Sequence, residues 1–395
     1  MTAPATLVVD PDLLRAGRDG AKDILWNART GQQVLLGPGA MGLLDRFAVP
    51  AAPGEAASAP LLRQLVELGL LVPHPAPGPA AGTEPPGEGL FGARRVDLAA
   101  ALRDSRCDVV VVGIPYDVGV TGRPGARFGP HYLRNASRSL FRTAGLDDAP
   151  GMFDPVRGRQ VLAGVRIADT GNITADVHTR NGDSLLALER TTAAVVGAGK
   201  FPVVLGGDHS ITLPSVRGVL SARPEDGPGI GIIHFDAHLD FGRPRQGDWR
   251  QECHHGNFMD WLVGDPRVER LVQFGIRQLI TRQPDPSPKV SSWPGVSAAT
   301  ADLERVLATL PEDIPYYVTI DVDFLDPLVM PSTGTPVAGG YSHLQAVELV
   351  EALCGRREII GLDLVEFLPD GNSTAASTAA ELLLRGLDGA FSARR

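Results

Sequence analysis

The chain has 395 residues, 43% of them hydrophobic and 21% charged, with a formal net charge of -9 at pH 7. This composition is ordinary for a globular protein, and the acidic balance argues against nucleic acid as a partner. No apolar run approaches the ~20 residues of a membrane helix, and the N-terminus lacks the pattern of a signal peptide. Three widely spaced cysteines predict no disulfide framework, so we expect a cytoplasmic protein with no membrane partner.

Residues 1–74 are predicted to form a small first domain. Segments 23–26 and 32–36 are typical of two strands in a hairpin, and helical patterns follow at 41–47 and 60–71. This order predicts a winged-helix-like domain. The pattern ending in LLRQLVELGLLV resembles the precursor-peptide recognition domain of enzymes that modify ribosomal peptides. The resemblance implies a peptide partner here, and a structural or oligomerisation role is the alternative.

A proline- and glycine-rich segment, residues 75–89, is predicted to be a semi-extended linker to a second domain, residues 90–395. Buried strands in that domain are predicted at 108–112, 201–205, 230–235, 271–276, 316–320 and 359–364. Helices are predicted at 183–198, 342–354 and 374–387. Strands that alternate with helices predict right-handed βαβ units, and therefore a three-layer α/β/α fold with a mostly parallel sheet.

Potential metal ligands follow three of the predicted strands. They are His209, then Asp236, His238 and Asp240, and finally Asp321 and Asp323. Within the second and third sets the ligands stand at every second position, so in an extended chain their side chains point to the same side. Because open α/β sheets place their sites at the carboxyl ends of strands, we expect a site there. Surface charges just beyond the strand ends are the alternative.

Two histidines and four aspartates are too many ligands for one ion. Carboxylates can bridge, so the set suits two divalent ions about 3.5–4 Å apart. Carboxylates with some imidazole, and no cysteine in the set, favour Mn²⁺ over Zn²⁺. Two such ions lower the pKa of a water molecule and produce a hydroxide nucleophile near neutral pH. The residues therefore predict metal-assisted hydrolysis.

Three motifs resemble the signature set of the ureohydrolases, the arginase and agmatinase family: GGDHS at 206–210, DAHLD at 236–240 and IDVDFLDP at 320–327. The segment GIPYDVGVTGRPGARFGP at 113–130 resembles the agmatinase-like form of the first loop in this family. The resemblance covers about residues 107–390. It implies that one Mn²⁺ binds to His209, Asp236, Asp240 and Asp321. It implies that a second Mn²⁺ binds to Asp236, His238, Asp321 and Asp323.

The resemblance also implies catalytic roles for three residues. His255 matches the proton-shuttling histidine, Glu366 matches the carboxylate that binds the guanidinium group, and Asp240 orients the nucleophile. The implied reaction is hydrolysis of a guanidino group to urea and a primary amine. The resemblance further implies an arginase-like fold and a homo-oligomer.

The substrate is predicted from two departures from the family. The segment FGRPRQGD at 241–248 lacks the small polar residues by which arginases hold the α-groups of free arginine. The N-terminal domain is additional to the core of the family. The first interpretation is therefore conversion of arginine to ornithine within a precursor peptide. The alternatives are a small guanidino substrate, such as agmatine or guanidinobutyrate, and an inactive metal-binding scaffold.

Overall fold

The structure is a computed structural model that describes residues 7–10, 13–27, 32–47, 51–52, 60–73, 89–140, 151–173, 182–242, 247–281 and 287–392. The chain divides into two compact units, residues 1–87 with 97–104 and residues 88–96 with 105–395. Apart from Gly89, the predicted linker at 75–89 lies outside the described residues. Among the described helices, none is long and apolar enough to cross a membrane.

The smaller unit contains antiparallel strands and short helices. Its strands are β1 (Leu7–Val9), β2 (Leu13–Asp19), β3 (Lys22–Asn27), β4 (Gln33–Leu36) and β5 (Leu71–Pro73). Its helices are α1 (Pro38–Asp45), α2 (Pro60–Glu67) and α3 (Leu98–Arg103). Strand β1 pairs with β5, and β2, β3 and β4 form an antiparallel sheet in that order.

A hydrophobic core holds this unit together. Leu25 of β3, Met41 and Leu44 of α1, and Leu62 and Leu65 of α2 are all buried in it. The prediction of a small domain with two strands and two following helices is confirmed. Strand β2 was not predicted, because its sequence LLRAGRD contains charged residues and a glycine in place of regular alternation.

The larger unit contains a nine-stranded sheet in which every neighbouring pair of strands is parallel. Its strands are β6 (Arg94–Arg95), β7 (Val109–Gly113), β10 (Ile167–Asn172), β11 (Phe201–Leu205), β12 (Ile230–Phe235), β13 (Val268–Phe274), β14 (Val290–Trp293), β15 (Tyr316–Asp321) and β16 (Ile359–Val365). Strands β8 (Met152–Asp154) and β9 (Arg159–Val161) form a separate hairpin. The order across the large sheet is β14-β13-β12-β15-β16-β11-β7-β10-β6.

Helices cover both faces of this sheet. They are α4 (Gly129–Leu140), α5 (Asp183–Gly197), α6 (Thr212–Ser221), α7 (Trp249–Glu252), α8 (Phe258–Gly264), α9 (Ser297–Thr300), α10 (Leu303–Leu307), α11 (His343–Arg356) and α12 (Ser373–Ser392). In β12, Ile233 belongs to a core with α11 and α12, whereas the adjacent Ile232 belongs to a core with α6 and α8. Burial on both faces explains the apolar strand sequences, and the predicted three-layer fold is confirmed.

The register of four central strands places their carboxyl ends side by side. Phe235 of β12 pairs with Ile320 of β15, Ile320 pairs with Leu364 of β16, and Leu364 pairs with Leu205 of β11. The polar residues that follow these positions therefore emerge at one level of one sheet edge. This is the edge where open α/β sheets bind their ligands.

Candidate metal centre

Local structure turns each ligand-type side chain toward the same point. After β11, the Asp208 carboxylate accepts a hydrogen bond from the Ser210 N–H (2.9 Å) and caps the turn that contains His209. The turn lies so close to Tyr116 that a Cβ on Gly207 would be 1.6 Å from the Tyr116 carbonyl oxygen, so only glycine fits there. After β15, the Asp321 carboxylate accepts a hydrogen bond from the Asp323 N–H (2.8 Å).

Two non-glycine residues of the site have left-handed backbone conformations. Asp240 has φ 54° and Glu366 has φ 59°. Such conformations cost free energy and persist only where the surrounding structure imposes them. Their occurrence at the ends of β12 and β16 indicates that the position of these two carboxylates is specified at the expense of local backbone stability.

Four of the predicted ligands form a first cluster around His209. The Nδ1 atom of His209 lies 3.0 Å from Asp236 Oδ2, 3.2 Å from Asp240 Oδ2 and 3.3 Å from Asp321 Oδ2. All four residues are buried. A ring nitrogen and three carboxylate oxygens thus surround a common point.

A second cluster shares Asp236 with the first. The Nδ1 atom of His238 lies 3.3 Å from Asp236 Oδ1 and 3.0 Å from Asp323 Oδ2. The two oxygens of Asp236 therefore face different clusters, as a bridging carboxylate requires. The predicted bridging by Asp321 stays a prediction, because its carboxylate contacts His209 and its Oδ1 accepts the Asp323 N–H.

The chemistry of the clusters fits divalent cations. The buried Nδ1 of His209 has no hydrogen-bond partner in the described part of the chain, although three carboxylates surround it. Burial raises the pKa of Asp321, and the charges of Asp323 and Asp236 raise it further, well above its usual range. A buried group of like charges is unfavourable until a cation neutralises it. Two groups of ligand atoms lie close enough together to hold an ion through oxygen and imidazole ligands: His209, His234, Asp236 and Asp240, and Asp236, His238 and Asp323.

His255 and Glu366 lie beside the clusters as a hydrogen-bonded pair. The Nδ1 atom of His255 is 3.0 Å from Glu366 Oε1, and its Nε2 accepts a hydrogen bond from the Thr121 N–H (2.9 Å). Since Nε2 is the acceptor, neutral His255 carries its proton on Nδ1 and donates it to Glu366. Burial lowers the pKa of His255, but the hydrogen bond and charge of Glu366 raise it above the ordinary value overall.

A cavity of about 140 Å³ opens onto these groups. Its walls include His209, His238, Asp240, Asp321 and His255. The other residues lining it are Thr121, Phe241, Gly256, Gln278 and Thr335. The cavity therefore gives a small polar molecule access to both clusters and to His255 at once.

The structure brings all eight predicted site residues together, and it adds His234. The Gln273 side chain donates a hydrogen bond to His234 Nδ1 (3.0 Å), so His234 Nε2 carries the proton and donates to Asp236 Oδ2 (2.9 Å). Alternation along β12 could have identified His234, which stands two residues before Asp236 on the same side of the strand. Thr121 had no such signal, because its contact with His255 joins two loops.

The fold and the site define the class of protein: an α/β protein whose parallel sheet carries a candidate metal centre at its carboxyl edge. A sequence model of the arginase family matches residues 107–387, and the chain belongs to this family. The prediction of a ureohydrolase, a hydrolase that acts on the C–N bonds of linear amidines, is confirmed.

Individual relatives match most of the chain. The mitochondrial guanidino acid hydrolase of Mus musculus is 30% identical over 328 residues, 80% of this chain and 85% of the relative. An agmatinase of Neisseria meningitidis is 34% identical over 306 residues, 75% of this chain and 92% of the relative. The crystal structure of a hypothetical agmatinase from Burkholderia thailandensis has a TM-score of 0.65 at 29% identity, covering 78% of this chain and 90% of that one.

Proposed function

We propose that this protein hydrolyses the guanidino group of arginine residues in a precursor peptide, yielding ornithine and urea, at a centre of two Mn²⁺ ions. The observation that carries the proposal is a single constellation around one cavity. Two clusters share Asp236, and the His255–Glu366 pair adjoins them. Membership of the arginase family supports the reaction.

The ligand set assigns a binding role to each cluster. His209, Asp240 and Asp321 would hold one ion, His238 and Asp323 would hold the other, and Asp236 would contact both. When bound, two divalent ions supply the Lewis acidity that activates water near neutral pH. Asp240, whose carboxylate lies 3.2 Å from the His209 ring, would orient the attacking water by accepting its hydrogen bond.

Glu366 would recognise the guanidinium group. Its Oε1 accepts hydrogen bonds from the His209 N–H (3.0 Å) and from His255 Nδ1 (3.0 Å), which hold the carboxylate in one orientation. A Cβ on Gly334 would lie 3.6 Å from Oε2, so the bare backbone there leaves space beside this oxygen. A fixed carboxylate binds a planar cation through charge-assisted hydrogen bonds.

His255 would deliver a proton to the leaving amine. It lines the cavity, and its raised pKa makes the protonated form accessible near neutral pH. The Thr121 hydroxyl lies 2.6 Å from Nε2 and can accept the proton of the charged ring, whereas the Thr121 N–H donates to the neutral ring. Thr121 therefore stabilises His255 in both of its protonation states.

The N-terminal unit supports a peptide as the substrate. It lies outside the segment that matches the arginase family, so the hydrolytic core does not account for it. Strand β4 stands at the edge of its three-stranded sheet, and the side chain of Leu35 on this strand is 44% exposed. An extended peptide can add to such an edge by main-chain hydrogen bonds, with side chains contacting exposed apolar residues.

A small guanidino compound is the second candidate substrate. The relatives that match the chain include an agmatinase and a guanidino acid hydrolase, which favours it. An inactive scaffold is disfavoured, because every predicted ligand position and both His255 and Glu366 carry side chains competent for the reaction.

Urea release by the manganese-loaded protein tests the proposal. The panel would contain arginine, agmatine, guanidinobutyrate and arginine-containing peptides with and without a leader segment, and the Asp236→Asn variant would be the control. We expect urea from leader-bearing peptides. Urea from agmatine or guanidinobutyrate alone would establish the small-molecule candidate, and no urea from any compound despite bound metal would overturn both.

A further inference from the structure

A buried chain of polar side chains lies behind His209, on the side away from the carboxylates. The Nε2 atom of His209 is 2.8 Å from Thr319 Oγ1, which is 3.1 Å from Thr212 Oγ1. The Thr212 hydroxyl donates to Asp363 Oδ2 (3.0 Å), and the Tyr317 hydroxyl donates to the same oxygen (3.0 Å). The relay formed by Thr319, Thr212 and Asp363 is fully buried, as is Tyr317.

Strand geometry brings the relay together. Tyr317, Thr319 and Asp321 stand at alternate positions of β15, so they share one side of the strand. Thr319 pairs in register with Asp363 of the neighbouring strand β16. Thr212 is the first residue of α6, directly after the turn that holds His209. The face of β15 that carries a proposed metal ligand thus continues inward as the relay.

The relay has a direction, because each hydroxyl has one proton. An ionised carboxylate accepts hydrogen bonds and cannot donate them, so the Thr212 proton points to Asp363. Thr212 Oγ1 is then the acceptor in its contact with Thr319, and the Thr319 proton points away from His209. Thr319 Oγ1 is left to accept, so the Nε2 atom of His209 must carry a proton. This tautomer leaves the lone pair on Nδ1, the atom that faces Asp236, Asp240 and Asp321.

We propose that Asp363, acting through Thr212 and Thr319, is a positioning residue that fixes the tautomer and ring orientation of His209 for metal binding. The inference rests on the proposed metal centre. Metal-binding histidines ordinarily donate their second N–H to a carboxylate or carbonyl, which raises the basicity of the ligand nitrogen. Here two threonine hydroxyls extend that arrangement to a carboxylate on β16, the strand next to β11, after which His209 stands.

The charge of Asp363 is otherwise hard to account for. A buried carboxylate is costly, and it forms no ion pair in the described part of the chain. Burial raises the pKa of its carboxyl, and the hydrogen bonds that it accepts oppose that rise. The two hydroxyls that donate to Asp363 Oδ2 favour its ionised form, the state that gives the relay its direction.

Manganese titration of the full-length protein, followed by electron paramagnetic resonance, tests the proposal. The variants are Asp363→Asn, which has a donor amide in place of an acceptor oxygen, and the pair Thr319→Val and Thr319→Ser, which differ in the hydroxyl. Thr191→Val is the matched control, because the Thr191 hydroxyl is bonded to the Ala187 carbonyl in α5 (2.8 Å) and takes no part in the site. Thermal unfolding of each metal-free variant monitors the fold.

We expect wild type and Thr191→Val to bind two ions. Asp363→Asn and Thr319→Val should bind one of the two ions about 10–100-fold more weakly, the usual cost of losing an outer partner, and Thr319→Ser should recover most of the loss. Unchanged affinity for both ions in Asp363→Asn and Thr319→Val would overturn the inference, as would equal weakening of both ions. A wild-type protein that binds no manganese would instead overturn the proposed function, and the inference with it.

Discussion

The carboxylate shared by the two clusters makes Asp236 the most informative position for metal binding. Its oxygens lie 3.0 Å from the Nδ1 of His209 and 3.3 Å from the Nδ1 of His238. Asp236→Asn should therefore weaken both ions. Asp323, whose Oδ2 lies 3.0 Å from His238, contacts the second cluster alone. Like Asp236→Asn, the Asp323→Asn variant keeps the shape of the side chain, and it should weaken the binding of one ion.

Thermal unfolding with and without manganese measures the difference. An ion present at 100 times its Kd stabilises the folded state by about 2.7 kcal/mol, so two ions contribute about 5 kcal/mol. For a unit of this size, that corresponds to a rise in Tm of about 10 °C. We expect Asp236→Asn to abolish most of the rise and Asp323→Asn to retain about half. If manganese raises the Tm of Asp236→Asn as much as that of wild type, or if the two variants lose the same part of the rise, Asp236 does not serve both ions.

Three further predictions concern the charge of the site and the N-terminal unit. Glu366→Gln should lower kcat/KM for urea release about 10–100-fold, because charge-assisted hydrogen bonds are lost. It should also lower the pKa of His255, since the negative charge beside the ring is removed. A pH–rate profile in which the pKa assigned to His255 is unchanged would contradict this. Asp321 has a raised pKa, so its ionisation destabilises the metal-free fold as the pH rises from the unfolded value of about 3.9 through the folded pKa. Asp321→Asn should therefore raise the metal-free Tm at pH 8 while reducing the gain from manganese, and a lowered metal-free Tm in calorimetry would count against it. Leu35→Glu should raise KM for leader-bearing peptides with little change in kcat. The control Val156→Glu, at an 80% exposed position of the larger unit, should leave KM unchanged. Equal effects of the two variants on KM would show that the N-terminal unit does not bind the substrate.

Glu366, which is hydrogen-bonded to His255, also links the site to backbone strain. Glu366 adopts φ 59° and holds both the His209 backbone and the His255 ring. Its carboxylate therefore helps to position the first cluster as well as the proposed proton donor. This coupling explains why a change at Glu366 is expected to alter both substrate turnover and the titration of His255.

The sequence alone determined the fold class and most of the ligand set. Runs such as VVVV in β7 and IGIIHF in β12 are apolar because helices cover both faces of a parallel sheet. The spacing of Asp236, His238 and Asp240 predicted that they meet, but the reason given was wrong, because β12 ends at Phe235 and Asp240 has φ 54° rather than an extended backbone. The cap of α11 is equally local, since Ser342 and Gln345 bond to each other's backbone as their spacing predicts.

Only the tertiary structure decided which distant residues meet. Thr121 contacts His255 across 134 positions, and Thr212 contacts Asp363 across 151 positions. The partners of His234 were likewise decided by the tertiary structure, which brings Gln273 of the neighbouring strand β13 to its Nδ1 atom. Such contacts depend on strand order, register and the paths of loops. Those features arise from packing of the whole sheet, whereas the types and spacing of the ligands can be recognised within one short segment.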